Sequence, residues 1–163
     1  MATINKNLSD YDAASIPDGA SMKIAIVVAE WNEQITQGLL NGAYNTLLKH
    51  NVLKKNIIVK HVPGSFELPL AAQTILEKTN VDAVICLGSV IQGETKHFDF
   101  VCNATALGIK DVALKYNKPI IFGVLTDNTM QQAIDRSGGK HGNKGDEAAI
   151  TALKMVALQQ SAF

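Results

Sequence analysis

The residues best suited to chemistry form one string, Gly88-Ser89-Val90-Ile91-Gln92-Gly93-Glu94-Thr95-Lys96-His97, which follows an almost unbroken apolar run over residues 81–87 and leads into a helical pattern. Its two glycines let the backbone turn tightly and present N–H groups, the Thr95 hydroxyl adds a donor, and the helix that follows contributes the positive end of its dipole. Phosphate or a similar anion suits such a turn. His97 stands about one turn on, and histidine is the side-chain type whose charge changes near neutral pH, so proton transfer beside a bound anion is the expected chemistry. A polar turn carrying a surface histidine would read the same way, and this string alone leaves both open.

The elements that must position these residues alternate regularly. Strands are expected over residues 23–29, 56–62, 81–87 and 119–125. Helices are expected over 34–50, 67–78, 99–116, 129–137 and 145–160. The first helix shows Ile35, Leu39, Ala43 and Leu47 at i, i+4 spacing; Ala148, Ala149, Ala152, Leu153, Val156 and Ala157 form the stripe of the last. Strands that are apolar almost throughout and separated by helices predict a parallel four-stranded sheet covered on both faces, a single-domain α/β/α sandwich with right-handed crossovers. Residues 1–22, polar and containing Pro17 and Gly19, read as an N-terminal arm; residues 23–163 form the domain.

Every expected strand then ends in residues that packing does not need: Glu30-Trp31-Asn32, Pro63-Gly64-Ser65-Phe66-Glu67, the string ending at His97, and Thr126-Asp127-Asn128. Carboxyl ends of an open parallel sheet are where ligands bind, so the clusters converge on one site. Singly, Trp31 also reads as a rim residue of the core and Glu67 as a carboxylate favoured at a helix start. Together they offer a flat face for a heterocycle and polar groups for a polyol. Gly88-x4-Gly93 lacks the lysine of a P-loop, and the first strand-to-helix turn has no dinucleotide fingerprint. The four histidines show no metal-ligand spacing. Gly138-Gly139-Lys140-His141-Gly142-Asn143-Lys144-Gly145 joins two helices and reads as a flexible hinge or a phosphate cradle, with Arg136 nearby as a fixed charge.

Composition sets wider bounds. The chain has 163 residues, 47% hydrophobic and 18% charged, with 15 basic against 15 acidic side chains. That balance points to a globular domain with a small-molecule partner rather than nucleic acid or a membrane. Cys86 and Cys102 read as small buried hydrophobes, no disulfide is expected, and no apolar stretch has the length of a membrane span, so a cytoplasmic protein is expected.

Five ordered motifs carry a family resemblance: Trp31-Asn32; Pro63-Gly64-Ser65-Phe66-Glu67-Leu68-Pro69; Gly88 through His97 with Phe98-Asp99; Phe122-Gly123-Val124-Leu125-Thr126; and Gln132-Ala133 with Arg136 and Gly142-Asn143-Lys144-Gly145. Over residues 23–160 the chain closely resembles the lumazine synthase family of riboflavin biosynthesis. The resemblance implies a flavodoxin-like sandwich. It also implies a transferase without cofactor or metal, joining 5-amino-6-(D-ribitylamino)uracil to 3,4-dihydroxy-2-butanone 4-phosphate. Carried over by position, it implies that Trp31 stacks on the pyrimidine, Ser65, Phe66 and Glu67 hold the ribityl chain and ring edge, and Ser89, Val90 and Ile91 line the pocket. Glu94 and Thr95 would hold the phosphate with Arg136, His97 would be catalytic, Lys144 would lie near the pyrimidine carbonyl, and Phe122 and Arg136 would come from a neighbouring subunit. Gln92 departs from the basic residue frequent at its position.

The family builds pentamers, some closing into a 60-subunit shell. The uninterrupted link over residues 138–142 resembles the shell-forming type, with the pentamer as the fallback. The arm extends along a neighbouring subunit or stays flexible, and association with a riboflavin synthase is left open. Two other classes share features with the chain. A flavodoxin-like module for flavin or another heterocycle would share Trp31 and the sheet edge, but has no need to join His97 to a phosphate turn. A receiver-type signalling domain needs clustered acids after the first strand, which Glu30 and Glu33 imitate poorly.

Overall fold

A computed structural model of the chain describes residues 7–161; the first six residues of the expected arm and the last two of the expected domain lie outside the described residues. Four strands, β1 (Ile24–Ala29), β2 (Ile57–Val62), β3 (Ala83–Ile91) and β4 (Ile120–Asp127), form a wholly parallel sheet in the order β2-β1-β3-β4. Helices α1 (Glu33–Lys49), α2 (Leu68–Lys78), α3 (His97–Tyr116), α4 (Met130–Arg136) and α5 (Lys144–Gln160) complete the expected α/β/α sandwich.

Strand alternation divides the core into two layers. Ile24, Ile26, Val28, Ile85, Leu87 and Leu125 face the stripes of α1 and α5. Ala25, Val27, Val84, Cys86 and Val124 face α2 and α3. All six residues of β1 are buried, which explains why that strand reads as apolar throughout. Cys86 lies fully inside, and burial pushes its thiol up to about 12; Cys102 on α3 is only half-buried, and both thiols are free.

Several boundaries differ from expectation. β3 runs four residues further, to Ile91, because Gly88, Ser89, Val90 and Ile91 pair in register with Val124, Leu125, Thr126 and Asp127. The ladder pairs their backbone groups despite the glycine and serine that read as a turn. β4 is likewise longer, and α3 begins at His97 itself rather than two residues later. The glycine-rich link is not a bare hinge. It forms a two-stranded antiparallel hairpin, β5 (Ser137–Gly139) with β6 (Gly142–Asn143), whose Gly138 and Gly142 take positive φ values of 121° and 81°.

Asn143 fastens that hairpin. Its Nδ2 donates to the carbonyls of Gly38 (2.9 Å) and Ser137 (3.2 Å), while its Oδ1 accepts from Gly145 N–H (2.8 Å) and so caps α5. The described part of the arm lies against the same place: Leu8 N–H donates to the His141 carbonyl and Asn143 N–H to Ser9 Oγ. Further along, Tyr11 Oη sits 3.4 Å from His50 Nε2. No helix among the described residues is long and apolar enough to cross a membrane.

α1 and α5 cross at Gly145, where an added Cβ would collide with the Leu39 carbonyl and stand 2.9 Å from the Ala43 nitrogen. Neither backbone can yield without separating the helices. Gly145→Ala is expected to destabilise the fold by ~1–3 kcal/mol or more, read as a lowered urea midpoint with an unchanged slope.

Candidate active site

The strand order reverses between β1 and β3, the position at which an open parallel sheet leaves a crevice beyond its carboxyl ends. Three local devices shape it. After β1, Glu30 and Trp31 continue the pairing with β2 by donating to the carbonyls of Val62 (2.8 Å) and Pro63 (3.2 Å). Asn32 then adopts the left-handed conformation, φ 59°, and its Nδ2 donates to the Ser89 carbonyl at 3.0 Å. Among residues with a Cβ, asparagine tolerates that conformation best, and here its amide also ties the end of β1 to β3. Trp31 is left 72% exposed at the rim.

The second device is a 3-10 turn, Ser65–Glu67, that leads into α2. Ser65 is buried, and its carbonyl accepts from Thr105 Oγ1 on α3 at 3.1 Å. Gly88 makes room for it: a Cβ there would lie 2.5 Å from Ser65 Oγ. With its first residue pinned, the turn holds the exposed Phe66 and Glu67 at the edge of the crevice.

The third is the start of α3, where His97 is the first helical residue and donates its N–H to Thr95 Oγ1 at 3.3 Å. A twenty-residue helix thus aims its N-terminus, the positive end of its dipole, at the same opening.

These devices enclose a cleft of about 700 Å³. Trp31, Ser65, Phe66, Glu67, Ser89, Val90, Ile91, Thr95 and His97 line it together, and Glu94 sits between two lining residues, Gly93 and Thr95. Phe98, quoted only as part of a motif, and Val101, one helical turn on from His97, also line it. Asn32 was quoted only as part of a motif, and its anchoring role depends on a contact 57 residues away.

Three expected residues lie elsewhere in this chain. Phe122, half-buried on edge strand β4, packs against the α2/α3 layer of the core. Lys144 opens α5, with its Nζ 2.7 Å from Glu147 Oε1. Arg136, in the last turn of α4, has Nη1 3.8 Å from Asp127 Oδ1. Asp127 is buried at the end of β4; burial pushes its carboxyl above the usual range, and Arg136 pulls it back. None of the described residues lining the cleft is lysine or arginine.

Residues 21–160 match the family model for 6,7-dimethyl-8-ribityllumazine synthase. The chain belongs to this family. The 6,7-dimethyl-8-ribityllumazine synthase of Cytophaga hutchinsonii is 62% identical over 157 residues, covering 96% of this chain and 98% of the relative. That of Parabacteroides distasonis is 58% identical over 156 residues, with coverage of 96% and 98%. That of Flavobacterium johnsoniae is 57% identical over 162 residues, with 99% of this chain and 85% of the relative covered. The resemblance read from the five motifs is therefore one of family membership, and the alternative of a heterocycle-binding module is not favoured.

Thr105 ties the 3-10 turn to α3. Thr105→Val keeps the shape but removes one of two donors to the Ser65 carbonyl, which still accepts from the Leu68 N–H, at a cost of ~0.5–1.5 kcal/mol. We expect lower thermal stability and, because Phe66 and Glu67 lose their fixed position, weaker binding of a heterocyclic ligand in fluorescence titration.

Proposed function

We propose that the protein condenses 5-amino-6-(D-ribitylamino)uracil with 3,4-dihydroxy-2-butanone 4-phosphate, giving 6,7-dimethyl-8-ribityllumazine, phosphate and water. The cleft at the strand-order reversal is the main support, because one surface carries an aromatic platform, a polar turn and a helix N-terminus beside a histidine. Trp31 supplies the stacking face for the pyrimidine, with Val90 and Ile91 at its edge. Ser65, Phe66 and Glu67 engage the ribityl chain. Glu94 and Thr95 hold the phosphate through backbone N–H groups and the threonine hydroxyl at the start of α3.

The reaction sets the demands on the protein. The pyrimidine amine attacks the ketone and water leaves as the imine forms; phosphate is then eliminated, and ring closure expels a second water. Protons must be given and taken at nitrogen and oxygen throughout, and His97 is the acid/base group of the cleft. Orientation of the two substrates supplies more, since effective molarity alone is worth ~7–11 kcal/mol while one acid/base group contributes about 10²–10⁴-fold. His97→Ala should therefore slow turnover by about 10²–10⁴-fold without abolishing it. Mixing the protein with both substrates and following lumazine fluorescence and released phosphate tests the activity; a ligand bound but unchanged, or total loss of activity in folded His97→Ala protein, would overturn the corresponding claim.

The same reading includes assembly. A dianionic phosphate needs a full positive charge, the cleft lining has no lysine or arginine among the described residues, and Phe122 and Arg136 sit outside their own chain's cleft. Both residues reach the cleft of a neighbouring copy, and Lys144 lies near the pyrimidine carbonyl in the assembled site. The exposed Phe100, Leu107 and Leu114, seven residues apart along α3, form an apolar face suited to contact with another copy. The assembly is a pentamer closing into a 60-subunit shell, working in the cytoplasm, with a riboflavin synthase as the partner that consumes the product. Light scattering decides it: a species of about five chains would sink the shell, and an active monomer would sink the shared site.

A further inference from the structure

Arg136 carries a long, flexible side chain, yet on the proposed function it must deliver a charge to a phosphate in another subunit's cleft. A free arginine would spend most of its time in other rotamers, so something must hold it. The β4–α4 junction is built to do so. The Asp127 carbonyl accepts from Gln92 N–H at 2.9 Å, continuing the β3–β4 pairing beyond Ile91. Asn128 N–H donates to Gln132 Oε1 at 2.8 Å, and Gln132 N–H donates to Thr129 Oγ1 at 3.2 Å, so side chains of α4 and its cap lock the turn between strand and helix. Asp127 and Arg136 are thereby fixed relative to one another.

Strand alternation places Asp127 on the face of Leu125, the face on which α4 packs, and its side chain is only 8% exposed. Oδ2 is buried with no hydrogen-bond partner among the described residues, while Oδ1 faces Arg136 Nη1 at 3.8 Å. The same Nη1 donates to the Gln132 carbonyl at 3.4 Å. Both contacts are made through one nitrogen, so the rest of the guanidinium fork remains available to an anion. A carboxylate buried with an oxygen unpaired has no evident value to packing; beside an arginine it has value as a fixed counter-charge.

We propose that Asp127 is a positioning residue that pre-orients Arg136 toward the phosphate of the butanone substrate. It touches no substrate itself. This inference rests on the assignment of Arg136 to the phosphate, and the test separates the two. Steady-state constants for both substrates, and the inhibition constant of inorganic phosphate, are measured for the wild type, Asp127→Ala, Arg136→Ala and the double variant in the assembled protein. Asp127→Ala should raise the KM for the phosphorylated substrate and the phosphate inhibition constant by about five- to tenfold, with kcat and the KM for the pyrimidine nearly unchanged. In the Arg136→Ala background the same change should have no further effect. Asp127→Asn, which keeps the shape and one acceptor, should fall between wild type and Asp127→Ala, and it carries the comparison if the alanine variant fails to assemble. An unchanged KM in both Asp127 variants, or an equal rise in the Arg136→Ala background, would overturn the positioning role while leaving Arg136 in place. An unchanged KM in Arg136→Ala would overturn the phosphate assignment itself, and the inference with it.

Discussion

The sheet is covered on both faces, and that constraint shapes the rest of the molecule. Every residue of β1 and the first seven of β3 are buried, so the interior offers polar groups no place unless each finds a partner. Functional side chains can collect only where strands end. The reversal of strand order between β1 and β3 opens the edge there, because their connections leave toward opposite faces and no helix bridges the gap. The location of the cleft is therefore a consequence of topology, and its chemistry comes from three strand ends.

Topology does not make those ends rigid. Asn32 spans the opening from β1 to β3, and Thr105 reaches from α3 to the turn after β2. Gly88 lets that turn press against β3. Each is a contact between segments distant in sequence, and together they convert flexible strand-to-helix connections into a platform. Exposed aromatic side chains such as Trp31 and Phe66 can then present their faces to a heterocycle at little entropic cost, since the backbone beneath them is already fixed.

The layered fold and most of the cleft were legible in the sequence because they depend on periodicity and on unusual residues at strand ends. Ile35, Leu39, Ala43 and Leu47 announce their helix face without any tertiary information. The end of β3 was not legible. Gly88 and Ser89 look like a turn, and only pairing with Val124 and Leu125 makes them strand. The β5–β6 hairpin was hidden for a related reason, since Asn143 holds it partly through Gly38, 105 residues away. Asp127 reads as a loop acid, and its burial follows from the longer β4 and from α4 packing over its end.

Charge explains why one chain does not suffice on the proposed function. A phosphate ester carries about −1.5 to −2 near neutral pH, whereas a helix N-terminus offers the equivalent of only about half a positive charge. Among the described residues the cleft lining adds a carboxylate at Glu67 and no lysine or arginine. A single cleft thus has a platform for the heterocycle but a deficit of positive charge for the anion. On the proposed function, supplying the missing charge from a neighbour makes phosphate binding available only in the assembled state, and that binding energy can be spent on orienting the ketone against the pyrimidine amine. Remote binding energy used in this way lowers the barrier to bond formation without a strong catalytic group. A site with one exposed histidine and one carboxylate is then chemically sufficient on the proposed function, provided the neighbour's arginine arrives already aimed.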